Sequence, residues 1–315
     1  MILSYWLRLV CLLLFSVGLV QTALALLLGL LTPALLRASA RLSPRWHERA
    51  CFALPMAPHL AAFTLAAVAI VPQYIRGETN LFNERVGIVC VAGALLVAAR
   101  YAYALLRALR LMRDSPAPRE AAVGVWAADM PIRIVNNAYP ILMVTGLFAP
   151  KIVVSRRLLD HALVSPEALE VAFAHEFAHL RHFDNLKLFM LSSLAPPLRD
   201  SAVVRSWRRA AEIAADSDAV AGSRARAILL AETLLVTARA VPPQAHAPIK
   251  LGLLPHEEEL ENRIHRLLGQ EPEGAERVGR LNLAAASAFI LFVANLLVPL
   301  ALVPIHSITE YLLHL

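Results

Sequence analysis

Residues 165–185 read SPEALEVAFAHEFAHLRHFDN, a helix start followed by a histidine pair. Ser165 suits a helix N-cap, Pro166 the first turn, and Glu167 and Glu170 the positive end of the helix dipole. Leu169, Phe173, Phe177 and Leu180 follow at helical spacing as one packing stripe. The pattern predicts a single helix from Ser165 to about Leu194, ended by Pro196-Pro197. A helix turns about 100° per residue, so His175 and His179 stand one turn apart on one face with Glu176 beside them. Two imidazoles and a neighbouring carboxylate in this HExxH pattern can hold and use a zinc ion.

A catalytic zinc usually takes three protein ligands and keeps a fourth position for water, so the motif needs one more donor. Glu212 is the expected third ligand. It lies on a second helical stretch, about Ala202–Ala221, where small residues at Ala211, Ala214 and Ala215 permit close approach to another helix. Asp216, one turn further, is placed to accept the remaining N–H of a liganding histidine and so fix its orientation. The plainer alternative makes Glu212 and Asp216 a solvated stripe beside Arg208 and Arg209; their alanine-rich setting argues against it. Glu176 is the expected catalytic carboxylate, a general base toward water. His182 is rotated away from the His175–His179 edge, and Asp184 reads equally well as an orienting group or a surface residue. His161 and His246 read as loop histidines. His256 is retained as a helper beside the substrate carbonyl oxygen, an oxyanion donor.

Upstream, Ile132–Val135, Ile141–Val144 and Ile152–Val154 read as three short strands, a small sheet or hairpin, with turns at Asn136-Asn137 and Ala149-Pro150-Lys151. The strand at 141–144, if exposed beside the zinc helix, offers an edge on which an extended substrate can add as a further strand. Residues 114–119, DSPAPR, form a stiff break that holds this domain close to whatever precedes it.

What precedes it is a membrane protein. The chain of 315 residues is 58% hydrophobic and 17% charged, far from the about one-quarter charged share of soluble domains. Apolar runs at about Leu9–Leu31, Phe52–Val71, Val86–Leu106 and Leu283–Val303 are each long enough to cross about 30 Å of hydrocarbon. Ala23-Leu24-Ala25 resembles a signal cleavage site, but the apolar stretch runs on to Leu36, so the first run is expected to be retained. Arg37, Arg41, Arg45 and Arg49 follow the first run, and Arg107, Arg110 and Arg113 the third. Arg277 and Arg280 precede the fourth, and no Lys or Arg follows Arg280. This asymmetry puts the first loop and the large segment in the cytoplasm and both termini outside. It also accounts for the net charge of +6 without nucleic acid, which is not an expected partner. Cys11, Cys51 and Cys90 lie in or beside apolar runs and read as small hydrophobes.

The expected fold class is thus an α-helical membrane protein with four transmembrane helices and an α+β zincin-like metalloprotease domain inserted between spans three and four. The expected boundaries are 1–113 for the three spans, 114–280 for the cytoplasmic protease domain, and 281–315 for the fourth span with a short extracytoplasmic tail.

The segments GLFAPKIVV (146–154), LLD (158–160), SPE (165–167), HEFAHLRHFDN (175–185), EIAAD (212–216) and LENRI (260–264) resemble the BlaR/MecR family of integral-membrane zinc metallopeptidases. The likeness runs from about Val135 to Leu268, and the three-plus-one span layout is similar too. It implies a gluzincin-like HExxH…ExxxD enzyme of the bacterial inner membrane with Zn2+ as cofactor. His175, His179 and Glu212 would be ligands, Glu176 the catalytic carboxylate and Asp216 the orienting group. Implied partners are the lipid bilayer, a protein or peptide substrate such as a repressor or membrane protein, and a second copy of the chain. Antibiotic-sensing members carry a penicillin-binding sensor after the last span; here only Ile305–Leu315 follow it, so antibiotic sensing is not implied. HtpX-like membrane-protein quality control is the alternative enzymatic role, and a non-catalytic signalling or assembly component the alternative of another class.

Overall fold

A computed structural model of the chain describes residues 2–77, 84–113, 132–147, 150–159, 163–192, 202–240, 257–269 and 311. Its chain contacts divide it into two compact units. Among the described residues, one comprises 2–107, 202–203 and 311; the other comprises 108–192 and 204–269.

In the first unit, apolar composition produces long helices: α1 (Tyr5–Ser39), α2 (Pro44–Leu65), a π-helical turn (Ala66–Ile70), α3 (Val71–Gly77) and α4 (Ile88–Arg113). Three helical stretches, Tyr5–Ser39, Pro44–Arg76 and Ile88–Leu106, are long and apolar enough to cross a membrane. The second runs unbroken through the π-turn, beyond the limits read from hydropathy alone. The expected fourth span, about Leu283–Val303, lies outside the described residues. Leu26, Leu30, Leu60, Phe63, Leu95 and Leu96 point outward, the arrangement of helices whose solvent is lipid. Strands β1 (Ile2–Leu3) and β2 (Glu84–Arg85) pair antiparallel and join the ends of the first and third stretches. Helix α1 meets α4 through small residues. A Cβ on Gly18 would fall on Val97 Cγ2, and one on Gly93 on the Phe15 ring, so each glycine seats the other helix's side chain. Cys51 and Cys90 are buried, Cys11 is half-buried, and all three are free thiols.

The second unit is built on a three-stranded sheet of order β3-β5-β4. Strands β3 (Ile132–Val135) and β5 (Lys151–Ser155) run parallel, whereas β4 (Leu142–Thr145) is antiparallel to β5. The central strand β5 is apolar at Ile152, Val153 and Val154 and buried on both faces. Helix α5 (Pro166–Arg181) covers it, with Ala168, Leu169 and Phe173 sharing one core with Ile132, Val144, Ile152 and Val154. Ser165 Oγ accepts the Ala168 N–H at 3.2 Å and caps this helix.

The single helix expected to run to about Leu194 is two. Helix α5 ends at Arg181, Phe183 takes φ 56°, and α6 (Asp184–Ser192) starts anew. No Gly or Pro marks the break. Polar contacts beyond it account for it: Asn185 Nδ2 donates to the carbonyls of Val144 and Gly146 at 3.1 and 3.0 Å, which ties the new helix to the end of β4. Gly146 has φ 94°, a conformation that side chains with Cβ rarely adopt. Helices α7 (Ala202–Val220), α8 (Arg224–Ala240) and α9 (Glu257–Leu268) complete the unit. The buried alanines 210, 211, 214, 215 and 219 line one side of α7. Val171 of α5, Ala219 of α7 and Leu230 of α8 meet in a second core that Leu267 of α9 closes.

Candidate metal centre

Helix α5 presents His175 and His179 from one face, and α7 presents Glu212 and Asp216 one turn apart; all four are buried. His175 Nε2 and His179 Nε2 stand 3.1 Å apart. Glu212 Oε2 lies 3.6 Å from the first and Oε1 3.6 Å from the second. His175, His179 and Glu212 therefore form a buried cluster that can hold a metal ion.

The chemistry of the donors fits a cation closely. Ligand atoms at bonds of about 2.0–2.1 Å and tetrahedral angles stand about 3.3 Å from one another; the two Nε2 atoms are 3.1 Å apart, and each has a different Glu212 oxygen at 3.6 Å. His179 Nδ1 is 2.8 Å from Asp184 Oδ2 and His175 Nδ1 is 2.9 Å from Asp216 Oδ1. The first contact is a well-formed hydrogen bond, while the second is close in distance but off in angle. A carboxylate facing each Nδ1 favours the proton there, which leaves both Nε2 lone pairs aimed at one space. Once His175 gives up its second proton, two lone pairs and a carboxylate edge converge out of water on a space that a metal cation can fill. The Glu212 oxygens are also buried without a well-angled hydrogen bond.

Arg263 of α9 supports the acidic side. Its Nε and Nη2 donate to Asp216 at 2.9 and 2.6 Å, and Nη1 lies 2.7 Å from Glu212 Oε2, an ion pair by distance. Lys187 Nζ lies 3.3 Å from Asp184. Burial would raise both Glu212 and Asp216, but the Arg263 guanidinium, with the histidines, holds each carboxyl below the usual carboxylate range. Burial would likewise lower His175, and against it the Asp216 and Glu212 carboxylates push its pKa up to about 10. Glu176 differs. Burial raises its carboxyl above the usual range and Glu212 adds to this, against the lowering effect of both histidines and the Val144 N–H.

These groups line a cavity of about 170 Å³ whose walls include Tyr139–Val144, His175, Glu176, Trp207, Glu212, Leu230, Leu234 and Arg263. Comparison with protein-family models, curated proteins and solved structures gave no match.

The structure brings together His175, Glu176, His179, Glu212 and Asp216. Arg208 and Arg209 are exposed while Glu212 is not, so the solvated-stripe alternative fails. His182 lies apart, 3.2 Å from Asp218. His161, His246 and His256 lie outside the described residues. Asp184, left open by the sequence, is buried on His179. Arg263 carried no role beyond its place in the family-like LENRI segment. A signal for it did exist: Leu260, Ile264 and Leu267 make an apolar stripe with Arg263 inside it, and a cation on an apolar stripe calls for buried acids.

Proposed function

We propose that the chain is a membrane-anchored zinc endopeptidase of the BlaR/MecR type, as its sequence resemblance implies. The observation that carries this reading is the convergence of His175, His179 and Glu212 on one buried space, with Glu176 on the same cavity wall. Imidazole nitrogens with one carboxylate oxygen suit zinc among the divalent metals. When bound, zinc supplies a Lewis acid that polarises a carbonyl and lowers the pKa of a water to about 7.

The chain's own residues do the rest. Glu176, its carboxyl raised by burial, accepts a proton from the attacking water and passes it to the departing amine. Asp184 and Asp216 hold the imidazoles in orientation. Strand β4 has no strand partner on its outer side among the described residues. Ile141 and Met143 face β5, so Leu142 turns its N–H and C=O outward beside the cavity. An extended peptide adding there lies across the zinc ligands. On this reading residues 283–303 form a fourth span, the peptidase unit faces the cytoplasm, and the substrate is a cytoplasmic or membrane-proximal protein such as a repressor.

The test is to purify the chain in mild detergent, measure bound zinc, and compare peptide cleavage by wild type and Glu176→Ala. Zinc is expected in both and cleavage only in wild type, with a loss of about 10²–10⁴-fold in the variant. Zinc in both with equal, negligible cleavage sinks the enzyme reading. Cleavage spread over many unfolded membrane proteins would instead indicate quality control.

A further inference from the structure

The four apolar runs contain no Asp or Glu, and Arg100 is their only Lys or Arg. An arginine cannot shed its charge by deprotonation, so its surroundings must answer it. In the first unit its partners are neutral. Arg100 Nη1 donates to Gln21 Oε1 of α1 at 3.1 Å, and Nη2 to His59 Nε2 of α2 at 2.9 Å. Tyr101 OH accepts from Gln21 Nε2, and the Tyr101 ring stacks near Phe63. Three spans thus meet on one guanidinium, and no carboxylate pairs with it among the described residues.

The cluster is rich in donors and short of acceptors. Arg100 offers five N–H groups; its Nε is buried without an acceptor, and the Tyr101 hydroxyl keeps its own proton to donate. At 1.5 Å per residue, Gln21, His59 and Arg100 lie about 9 to 15 Å inside the run ends at Leu31, Phe52 and Leu106. Alternating spans bring those three ends to one face of the membrane. That depth is below the lipid headgroups, and the guanidinium is turned inward to Gln21 and His59. Arg100 and His59 remain half-exposed, with Leu60, Phe63 and Leu96 exposed around them.

We propose that this cluster receives a carboxylate, an Asp or Glu within a transmembrane helix of a partner protein. Charge complementarity selects the occupant: a cation at this depth, with no acid in any apolar run of its own chain, is matched by an acid from another. Phe63, Leu60 and Leu96 supply the apolar surround for the incoming helix. This inference does not depend on peptidase activity.

The test uses the full chain in phosphatidylcholine vesicles, with association of fluorescently labelled designed helices read by energy transfer. The helices are Leu/Ala spans carrying Asp, or Leu as control, at the matching depth. The Asp helix is expected to associate about 5- to 30-fold more tightly than the Leu helix. Arg100→Gln should erase the difference, and Arg100→Lys should keep most of it. Unchanged helix content by circular dichroism and an unchanged size in detergent show that both variants fold. Equal association of Asp and Leu helices, or an Asp preference that survives Arg100→Gln, overturns the proposal. So does loss of the preference on adding phosphatidylglycerol together with Arg100-dependent enrichment of that lipid, which would make the occupant a lipid phosphate.

Discussion

Two polar clusters, one buried and one half-buried among apolar helices, solve opposite problems of charge. Around the candidate metal centre, four carboxylates (Glu176, Asp184, Glu212 and Asp216) face two permanent cations, Lys187 and Arg263. In the helical unit, Arg100 is met by Gln21, His59 and the Tyr101 ring and, among the described residues, by no acid. With the second His175 proton removed, the first cluster has excess negative charge and lone pairs aimed at one point, which a metal ion answers. The second has excess positive charge and unspent donors, which an anion answers. Net imbalance in a buried network thus points to the missing component, whereas a balanced network would point only to folding.

The comparison can be broken most strongly at Arg263. Arg263→Met leaves Glu212 and Asp216 buried without their cation, so the metal-free protein should lose about 3–5 kcal/mol of stability. Thermal or denaturant unfolding in detergent checks this, and added zinc should restore part of the loss. An unchanged midpoint would mean that the ion pair carries no weight.

The groups behind the histidines come next. Asp184→Asn and Asp216→Asn should each weaken zinc binding about 10–100-fold while keeping some occupancy, as chelator competition would measure. Equal affinity to wild type would reduce both to bystanders.

Acidity sharpens the same cluster. His175 is pushed up to about 10 in the folded protein, above its unfolded value of about 6.5. Its charge therefore stabilises the metal-free fold fully below about pH 6.5, and this contribution is lost as pH rises through about 10. Zinc must displace that proton, so binding should tighten about tenfold per pH unit in this window. Calorimetry in buffers of different ionisation heat should show proton release; none would contradict the assignment.

The smallest effect belongs to the other cluster. Arg100→Met breaks no ion pair among the described residues, so it should cost about 1 kcal/mol, against the larger loss at Arg263. Comparable unfolding losses for the two variants would dissolve the contrast between the units.

Local signals made several parts of this protein legible. Helix α5 declared itself through Ser165, Pro166 and its apolar stripe, and the i, i+4 spacing of His175 and His179 placed both imidazoles together. Glu212 and Asp216 were legible because carboxylates on an alanine-rich face are conspicuous. The break at Phe183 was not, since no residue there resists helix and the cause is Asn185 reaching β4, some 40 residues away in sequence. Asp184 was undecidable for the same reason: only the break turns its carboxylate back onto His179.

Sequence by itself determined the apolar helices, the short strands and the candidate metal donors, because hydrophobic period and ligand spacing are short-range properties of the chain. Tertiary structure alone decided that Arg263 from α9 sits on Glu212 and Asp216, that β4 rather than β3 borders the site, and that Arg100 meets Gln21 and His59. Each of these joins residues 40 or more apart or chooses between sheet edges, and such pairings are fixed by packing and charge balance in three dimensions, which no local pattern encodes.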